Sequence, residues 1–162
     1  MRYYGVDCGL NGAIVSVEGD RIYDKIPMPT KTLDKKKKID IEKLSYLLDL
    51  VDADSSYFTV EDPGPHAPSA SGLRSMTYSF AVIEALLVAK SISYTTVRAK
   101  TWQKTFFTKP KGMVEKFDTK LAALVTASRI WPSEDWTRTP RSRIAFDGYI
   151  DAALLAEYSR KR

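Results

Sequence analysis

Four acidic residues occupy positions where an unpaired carboxylate is costly. Asp7 interrupts an apolar, strand-like run, and Glu61 stands at the end of another. Asp147 and Asp151 follow one another at a spacing of four near the C-terminus. Because desolvating an isolated carboxylate is expensive, each of these positions needs hydrogen-bond donors or a cation nearby.

The spacing of the last two acids points to a metal site. Asp147 and Asp151 would share one face of a helix, where like charges repel and no basic residue lies between them. A divalent cation would convert that repulsion into binding, since clustered carboxylate oxygens favour hard ions such as Mg²⁺. Four acids converging from three elements would suit two-metal phosphodiester hydrolysis, in which one ion activates water and the other stabilises the leaving oxygen.

Two of these acids also have simpler interpretations. Asp147 could cap a helix beside Gly148, because aspartate is a favoured N-cap residue. Asp62 could replace Glu61, although strand alternation points its side chain to the opposite face. Asp151 is harder to explain otherwise, because the AALLAEY sequence that follows it is typical of a buried helix.

Periodicity and turn signals predict the elements that would carry these acids. Strands are expected at residues 2–8, 13–18, 21–27, 56–61 and 93–99. Helices are expected at residues 41–51, 73–90, 99–107, 114–132 and 146–161. The lysine-rich segment 30–40 is expected to be a loop, because its four consecutive lysines repel one another.

This order of elements predicts an α/β fold. A meander followed by β-α-β crossovers indicates a five-stranded mixed sheet, with a three-stranded antiparallel part, two parallel strands and helices on both faces. The first strand would lie centrally, between the second and the fourth, which places Asp7 near Glu61. Alternation would put Asp7 on the same face as Gly5 and Tyr3.

Composition is that of a globular chain with an uneven charge distribution. The 162 residues fit one domain spanning 1–162, and 44% are hydrophobic. A single cysteine excludes an internal disulfide, and the absence of a signal-like start or a long apolar stretch predicts a cytoplasmic protein without a membrane partner. Residues 90–145 hold twelve Lys and Arg against four acids, which favours an anionic polymer as partner.

Several segments resemble the RuvC-type Holliday junction resolvases, especially their compact phage and bacterial members. GVDCGLNGAI opens the chain, TVED ends a strand, and DGYIDAALLAEY opens the last helix. VRAKTWQKTFF and KFDTKLAALVTASRIWP are similar to the lysine-bearing strand exit and following helix of that family. The resemblance covers most of the chain and is weakest across 25–55, 62–75 and 133–145.

The resemblance implies an RNase H-like fold, a homodimer and two Mg²⁺ ions per site, with Mn²⁺ as a substitute. It implies paired nicks on opposing strands of a four-way DNA junction. Asp7 matches the acid of the first strand, Glu61 the strand-end acid and Asp151 the helix acid. Asp147 would be the fourth, at a spacing of four rather than the three of the best-known bacterial enzymes. Gly64 stands where those enzymes carry an aromatic wedge.

Basic and aromatic residues are candidates for DNA contact. Lysines in the segments that match the family's phosphate-contacting lysines are Lys100, Lys104, Lys116 and Lys120. Lys104 and Lys116 are the first choices for the lysine nearest the metals, with Lys116 assigned a catalytic role. Arginines that could clamp phosphates are Arg74, Arg138, Arg141 and Arg143. His66 could stack on a base or move a proton, and Trp102, Trp131 and Trp136 could stack or pack in the core.

The helix at 73–90 carries a small-residue face. Its apolar stripe is expected to pack on the sheet, whereas Tyr78, Ala81, Ala85 and Ala89 could meet a second copy of the chain. A symmetric dimer would present two active sites to two strands.

Three other functions fit part of the pattern. Actin-like ATPases and sugar kinases share the opening strand but need a second lobe, for which the chain is too short. A non-catalytic DNA-binding protein would have no need for all four acids. A nuclease acting on flaps, other branched DNA or RNA–DNA hybrids stays open beside the junction resolvase, as does any need for a helicase partner.

Overall fold

The computed structural model describes residues 1–65, 69–109 and 117–162. Its strands are β1 Arg2–Val6, β2 Ala13–Glu18, β3 Arg21–Pro27, β4 Thr30–Leu33, β5 Lys36–Ile39, β6 Ser56–Asp62 and β7 Tyr94–Arg98. Its α-helices are α1 Ile41–Asp49, α2 Ala70–Ala89, α3 Ala99–Phe106, α4 Thr119–Ile130 and α5 Asp147–Arg160.

Five of the strands form one mixed sheet in the order β3-β2-β1-β6-β7. β1 pairs antiparallel with β2 and parallel with β6, and β6 pairs parallel with β7. The antiparallel pair β2–β3 needs only the short turn at Gly19 and Asp20, whereas the parallel pairs require longer crossovers that include helices. The predicted sheet, with the first strand at its centre, is confirmed.

A hydrophobic core lies on each face of this sheet. One contains Trp102 of α3, Ala127 of α4 and Leu154 of α5, and the other contains Leu44 of α1 and Ile83 of α2. The predicted placement of helices on both faces is therefore confirmed. α5 is buried along almost its whole length, because it crosses the centre of the sheet.

α5 lies directly against the backbone of β1. A Cβ atom placed on Gly5 would come 1.8 Å from the Ala152 carbonyl oxygen and 2.5 Å from the Ala156 nitrogen. Glycine is thus the residue that allows this approach. The close contact sets the distance between helix and sheet, and with it the position of Asp151, the residue before Ala152.

Residues 30–40 are not the loop that their lysine run indicated. They form an antiparallel hairpin, β4–β5, which is separate from the main sheet. Asp34 and Lys35 at its turn have φ values of 50° and 61°, the left-handed conformation that two-residue hairpin turns require. Ile39 is buried and anchors the hairpin, while the lysine side chains extend into solvent, where their mutual repulsion is weak.

Two helices begin more than one residue away from the predicted start. α2 begins at Ala70 rather than residue 73, because the Ser69 side chain caps it by accepting a hydrogen bond from the Gly72 nitrogen. The helix predicted at 114–132 begins at Thr119, because the Asp118 side chain caps it by accepting hydrogen bonds from the Lys120 and Leu121 nitrogens. The predicted start at 114–116 lies outside the described residues.

α2 is more exposed than a helix packed on the sheet would be. Its buried residues are Ser79, Ile83 and Leu87, whereas Tyr78 and Val88 are mostly exposed. By length and composition alone, α2 is long and apolar enough to cross a membrane, contrary to the expectation from the sequence. One such helix is weak evidence for a membrane span.

Candidate active site

Two of the acids meet where two parallel strands end. β1 and β6 pair in register with Val6 beside Val60, so that Asp7 and Glu61 are the next residues along the two strands. β1 ends at Val6, two residues before the predicted end, but the Asp7 nitrogen still donates a hydrogen bond to a neighbouring carbonyl. The strand ends therefore hold both carboxylates at one edge of the sheet.

α5 brings the other two acids to the same edge. It runs antiparallel to β1, and its first turn lies against the loop that follows Asp7. A Cβ atom on Gly148 would come 2.8 Å from the Asn11 carbonyl oxygen in that loop. Asp147 and Asp151 flank this contact on the first two turns of α5.

The glycine loop after β1 fixes the Asp7 carboxylate. Its Oδ1 accepts a hydrogen bond from the Gly9 nitrogen at 3.0 Å. A Cβ atom on Gly12 would come 2.7 Å from the Asp7 Cγ and 2.1 Å from its carbonyl oxygen. The glycines thus let the loop fold tightly around the carboxylate while adding no side chain to the space beside it.

Glu61 is held by a buried tryptophan. Nε1 of Trp102, a fully buried residue of α3, donates a hydrogen bond to Glu61 Oε2 at 2.8 Å. The Cys8 thiol also donates to the Glu61 carbonyl oxygen at 3.3 Å, which ties the ends of β1 and β6 together. Trp102 therefore packs in the core, which was one of the two interpretations of the sequence. It also orients the Glu61 carboxylate.

Asp147 is paired with a lysine and does not cap its helix. Phe146 occupies the N-cap position of α5. Lys120 Nζ of α4 donates a hydrogen bond to Asp147 Oδ2 at 2.5 Å. The Asp147 side chain is about half exposed, so this pair lies at the open side of the site.

The charges of the acids act on one another. Burial raises the pKa of Glu61 to about 7, and the negative charge of Asp7 contributes to the rise. Burial also raises the pKa of Asp7, an effect that the Gly9 N–H opposes and the charge of Asp147 reinforces. The pKa of each of these two carboxyl groups is thus raised by the charge of another acid at the same edge of the sheet.

The pKa of Asp151 is also strongly raised. Burial raises its pKa to about 8, and the charges of Asp7, Glu61 and Asp147 add to this effect. The Lys120 ammonium opposes the rise only weakly, since it is the last of the contributions. The four acids converge closely enough to form one electrostatic unit, which we call the acidic edge.

The acidic edge has the donor chemistry of a divalent metal site. Within residues 1–65, 69–109 and 117–162, no three His, Cys, Asp or Glu side chains are arranged to hold an ion as they stand. The carboxylates nevertheless supply hard oxygen ligands with an excess of negative charge, and the glycine loop packs against Asp7 without placing a side chain there. The residue types therefore fit Mg²⁺ or Mn²⁺, with binding expected to draw the carboxylates together.

The alternative acid and the other tryptophans are occupied elsewhere. Asp62 accepts a hydrogen bond from the Gly64 nitrogen and pairs with Arg98. Trp131 and Trp136 are buried and pack edge to face against each other. Base stacking by either tryptophan would require it to leave the core, so the stacking interpretation is wrong for both.

The predicted basic residues fall into separate groups. Lys100 and Lys104 of α3 line a groove of about 220 Å³ together with Lys109. Lys120 is the predicted lysine that reaches an acid of the edge among the described residues. Arg74 lies on the exposed side of α2, beside the β4–β5 hairpin.

Two predicted site residues cannot be placed. His66 and Lys116 lie outside the described residues. Their predicted roles in DNA contact and in catalysis therefore stay predictions.

Some polar contacts of the site were not anticipated from the sequence, and two of them join distant segments. One is the Trp102 hydrogen bond to Glu61, and the other is a hydrogen bond of 2.7 Å from Lys37 Nζ to Asn11 Oδ1. Both join segments far apart in the chain, so no local spacing signals them. The sequence hint for the second contact was Asn11 between Gly9 and Gly12, within five residues of Asp7.

Comparison with solved structures identifies the fold. No family model and no curated protein matches the sequence. Thermus thermophilus RuvC in complex with a Holliday junction substrate matches with a TM-score of 0.62 and 9% identity, over 99% of this chain and 95% of that one. Another Thermus thermophilus RuvC structure matches with a TM-score of 0.61 and 12% identity, over 99% and 96%.

The chain has the RuvC fold. The likeness spans nearly the whole of both chains, and it confirms the RNase H-like sheet that the resemblance implied. At this level of identity it establishes the fold alone, so the chemistry must be argued from the acidic edge.

The raised pKa values predict how stability depends on pH in a metal-free RuvC fold. The folded pKa values of Glu61 and Asp151, about 7 and about 8, lie above their ordinary values of 4.5 and 3.8. The folded state therefore binds more protons than the unfolded state over this window, and its stability falls as pH rises through it. The loss is on the order of a few kcal/mol.

Thermal unfolding in EDTA at about pH 5.5 and about pH 8.5 measures this effect. The Tm of the unsubstituted protein should fall over this interval more than that of Asp151→Asn, and Mg²⁺ should restore it at the higher pH. Equal pH dependence of the two proteins would contradict the electrostatic coupling.

Trp102→Phe should weaken metal binding. The substitution keeps an aromatic ring but removes the donor that orients Glu61, and loss of such an outer contact typically lowers metal affinity about 10- to 100-fold. Mn²⁺ titration followed by calorimetry would measure the change. Trp131→Phe is the matched control, because Trp131 is also buried but its Nε1 has no hydrogen-bond partner in the described part of the chain. Equal affinities of the two variants would contradict the role assigned to Trp102.

Proposed function

We propose that the protein is a metal-dependent endonuclease that resolves four-way DNA junctions by nicking opposing strands. The observation that carries the proposal is the convergence of Asp7, Glu61, Asp147 and Asp151 at one edge of the sheet. The RuvC fold supports it, because the RuvC of Thermus thermophilus with this fold is seen in complex with a Holliday junction substrate.

The acidic edge would hold one or two divalent ions through its carboxylate oxygens. When bound, such ions supply activation of water and stabilisation of the leaving oxygen. The Gly9 N–H and Trp102 Nε1 hydrogen-bond one oxygen each of Asp7 and Glu61, so the other oxygen of each carboxylate would be the one available to an ion.

Lys120 is the described residue best placed to act on the phosphate. Its ammonium hydrogen-bonds Asp147, and its pKa is raised by this hydrogen bond and by the charge of Asp147, so it stays protonated. A protonated lysine beside the reacting phosphate stabilises the negative charge that develops on it. Lys100 and Lys104 lie on a different helix, α3. They would contact phosphates outside the site and add salt-dependent affinity.

The exposed side of α2 is proposed as the dimer surface. Tyr78, Ala81, Ala85 and Ala89 are all exposed on it and present a flat, mostly apolar face. Burial of that face against a second copy would explain why so apolar a helix is so little covered, and the resulting two-fold symmetry suits paired nicks.

Ala85→Glu should therefore shift the protein from dimer to monomer, because it places two charges in the proposed interface. Sedimentation equilibrium would measure the change. Val125→Glu, at an exposed apolar position of α4, is the control and should leave the mass unchanged. A monomeric unsubstituted protein, with and without junction DNA, would contradict the proposed dimer.

A substrate panel tests the proposed function. Labelled four-way junction, flap, duplex and RNA–DNA hybrid are each incubated with the protein and Mg²⁺. We expect symmetric nicks with 5′-phosphates in the junction, no cleavage in EDTA, and little cleavage of duplex. Absence of Mg²⁺-dependent cleavage of every substrate would contradict the proposal.

A second candidate, a nuclease for flaps or RNA–DNA hybrids, is favoured by one observation. Gly64 stands where an aromatic residue is expected in the best-known bacterial resolvases. It has a φ of 65°, and no atom of the described residues beyond its immediate chain neighbours lies within 4 Å of a Cβ placed on it. No side chain at this position can insert into a junction. Preferential cleavage of flap or hybrid in the same panel would support this second function over the first.

A further inference from the structure

The β4–β5 hairpin reaches the acidic edge through one of its lysines. Lys37 Nζ donates a hydrogen bond to Asn11 Oδ1 at 2.7 Å. Asn11 belongs to the loop after Asp7, and its carbonyl oxygen lies against Gly148 at the start of α5. The hairpin is thus attached to the same loop that positions two of the acids.

The register of the hairpin determines where its other lysines point. Lys36 pairs with Leu33 and Lys38 with Lys31, so these four residues share one face. Ile39 lies on the opposite face and is buried. Lys36 and Lys38 are exposed, and together with Lys37 and Ile39 they line one side of a groove.

A groove of about 560 Å³ separates the hairpin from α2. Its walls are Lys36–Ile39 on one side and Arg74, Ser75 and Ser79 on the other, and Leu10 of the glycine loop also lines it. Tyr78, at the edge of the proposed dimer surface, borders the groove. The Ser79 hydroxyl is buried and has no hydrogen-bond partner among the described residues. We call this feature the lysine groove.

Acidic side chains of the described residues do not neutralise the positive charge of the lysine groove. No acid among the described residues forms an ion pair with Lys36, Lys38 or Arg74, whereas Lys31 on the same hairpin pairs with Asp40 and Glu42. The lysine groove is therefore a cationic channel that begins next to an acidic site.

We propose that the lysine groove binds the sugar-phosphate backbone of a nucleic-acid strand that continues from the acidic edge. The inference rests on the proposed function, since it assigns a second contact region to the same substrate. Phosphates spaced along a strand match successive cations along a groove, and such contacts hold a strand in register without reading its sequence. The hairpin adds this contact on the α2 side of the acids, opposite the lysines of α3 and α4.

Lys36→Gln/Lys38→Gln tests the proposal in the full-length protein. Fluorescence anisotropy with labelled four-way junction and duplex in EDTA measures binding without cleavage. Each lost phosphate contact should raise the Kd about 5-fold at 0.15 M salt and lower the slope of log K against log salt by about 1, so the double variant should lose about 25-fold. Arg74→Gln, on the other wall, should lose about 5-fold independently.

The control variant is Arg21→Gln/Arg162→Gln. It removes the same net charge from exposed positions at the far end of the sheet and of α5, and it should bind like the unsubstituted protein. Circular dichroism confirms that each variant is folded. Binding of each variant to anionic vesicles of phosphatidylserine and phosphatidylcholine is measured in parallel, because a membrane surface is the alternative ligand of the groove lysines.

The outcomes separate the inference from the proposed function. If the lysine-groove and control variants bind DNA equally well, or the groove lysines affect only vesicle binding, the inference is overturned while the nuclease proposal stands. If binding depends on the groove but no branched DNA is cut with Mg²⁺, the nuclease proposal fails alone. Absence of DNA binding by the unsubstituted protein would overturn both.

Discussion

Asp7→Asn is expected to abolish DNA cleavage while leaving DNA binding intact. The amide has nearly the same shape and can still accept the Gly9 hydrogen bond, so the glycine loop should stay folded. It removes a negative charge at the centre of the acidic edge, where Asp7 acts on both Glu61 and Asp151. When several residues act as one catalytic unit, substitution of one of them costs nearly as much activity as removal of all. We therefore expect a rate loss of about 10³-fold or more.

Single-turnover cleavage of a labelled junction at saturating protein measures this loss, and anisotropy measures binding. Asp62→Asn is the matched control: Asp62 is adjacent to Glu61 in sequence, but its carboxylate bonds Gly64 and Arg98. It should retain the rate within about threefold, as a surface substitution away from the site does. Cleavage by Asp7→Asn at the unsubstituted rate would refute the assignment of the acidic edge as the active site.

Gly5→Ala is expected to destabilise the whole fold. The new Cβ would meet the backbone of α5 at 1.8 Å and 2.5 Å, and neither contact is the end of a flexible side chain. Relief requires α5 to move off β1, which would separate the central helix from the sheet. We expect a loss of about 3 kcal/mol or more in the free energy of unfolding, at the upper end of overpacking effects.

Urea denaturation followed by circular dichroism measures this loss. Gly72→Ala is the control, because its Cβ would approach only the Ser69 hydroxyl, at 3.0 Å, in the first turn of the exposed helix α2. It should change stability by less than about 1 kcal/mol. Equal stability of the two variants would contradict the direct contact between α5 and β1.

The sequence predicted the parts of the fold that local patterns determine. The alternation around Asp7, the capping of α1 by Asp40 and the apolar series of α5 each follow from residues close in the chain. The convergence of the acids also followed, because parallel strands must end at the same edge of a sheet. Strand alternation assigned Glu61, and not Asp62, to the face of Asp7.

What the sequence did not predict depends on electrostatics and on long-range packing. Four lysines appeared to forbid regular structure, yet the turn at Asp34 and Lys35 and the buried Ile39 suffice to form a hairpin, since its lysines are solvated. Charged residues on a short, isolated pair of strands also discourage pairing with other chains. The hydrogen bond from Trp102 to Glu61 needed the three-dimensional arrangement of α3 and β6.

The partner of Asp147 illustrates the same limit. No basic residue lies between Asp147 and Asp151 in the sequence. This indicated two acids without a basic partner. Lys120 compensates one of them from α4, a helix that reaches α5 only through the packing of the core. Asp7, Glu61 and Asp151 form no ion pair within the described residues, so we expect these three to be the principal metal ligands.

The position of bound Mn²⁺ tests the central claim most directly. Crystals soaked in Mn²⁺ and measured at a wavelength with anomalous signal would locate the ion independently of any activity. We predict a peak about 2.1 Å from carboxylate oxygens of Asp7 and Asp151, and its loss in Asp7→Asn. Ordered density for these side chains with no anomalous peak between them at millimolar Mn²⁺, or a peak bound only elsewhere, would contradict a metal-dependent acidic edge.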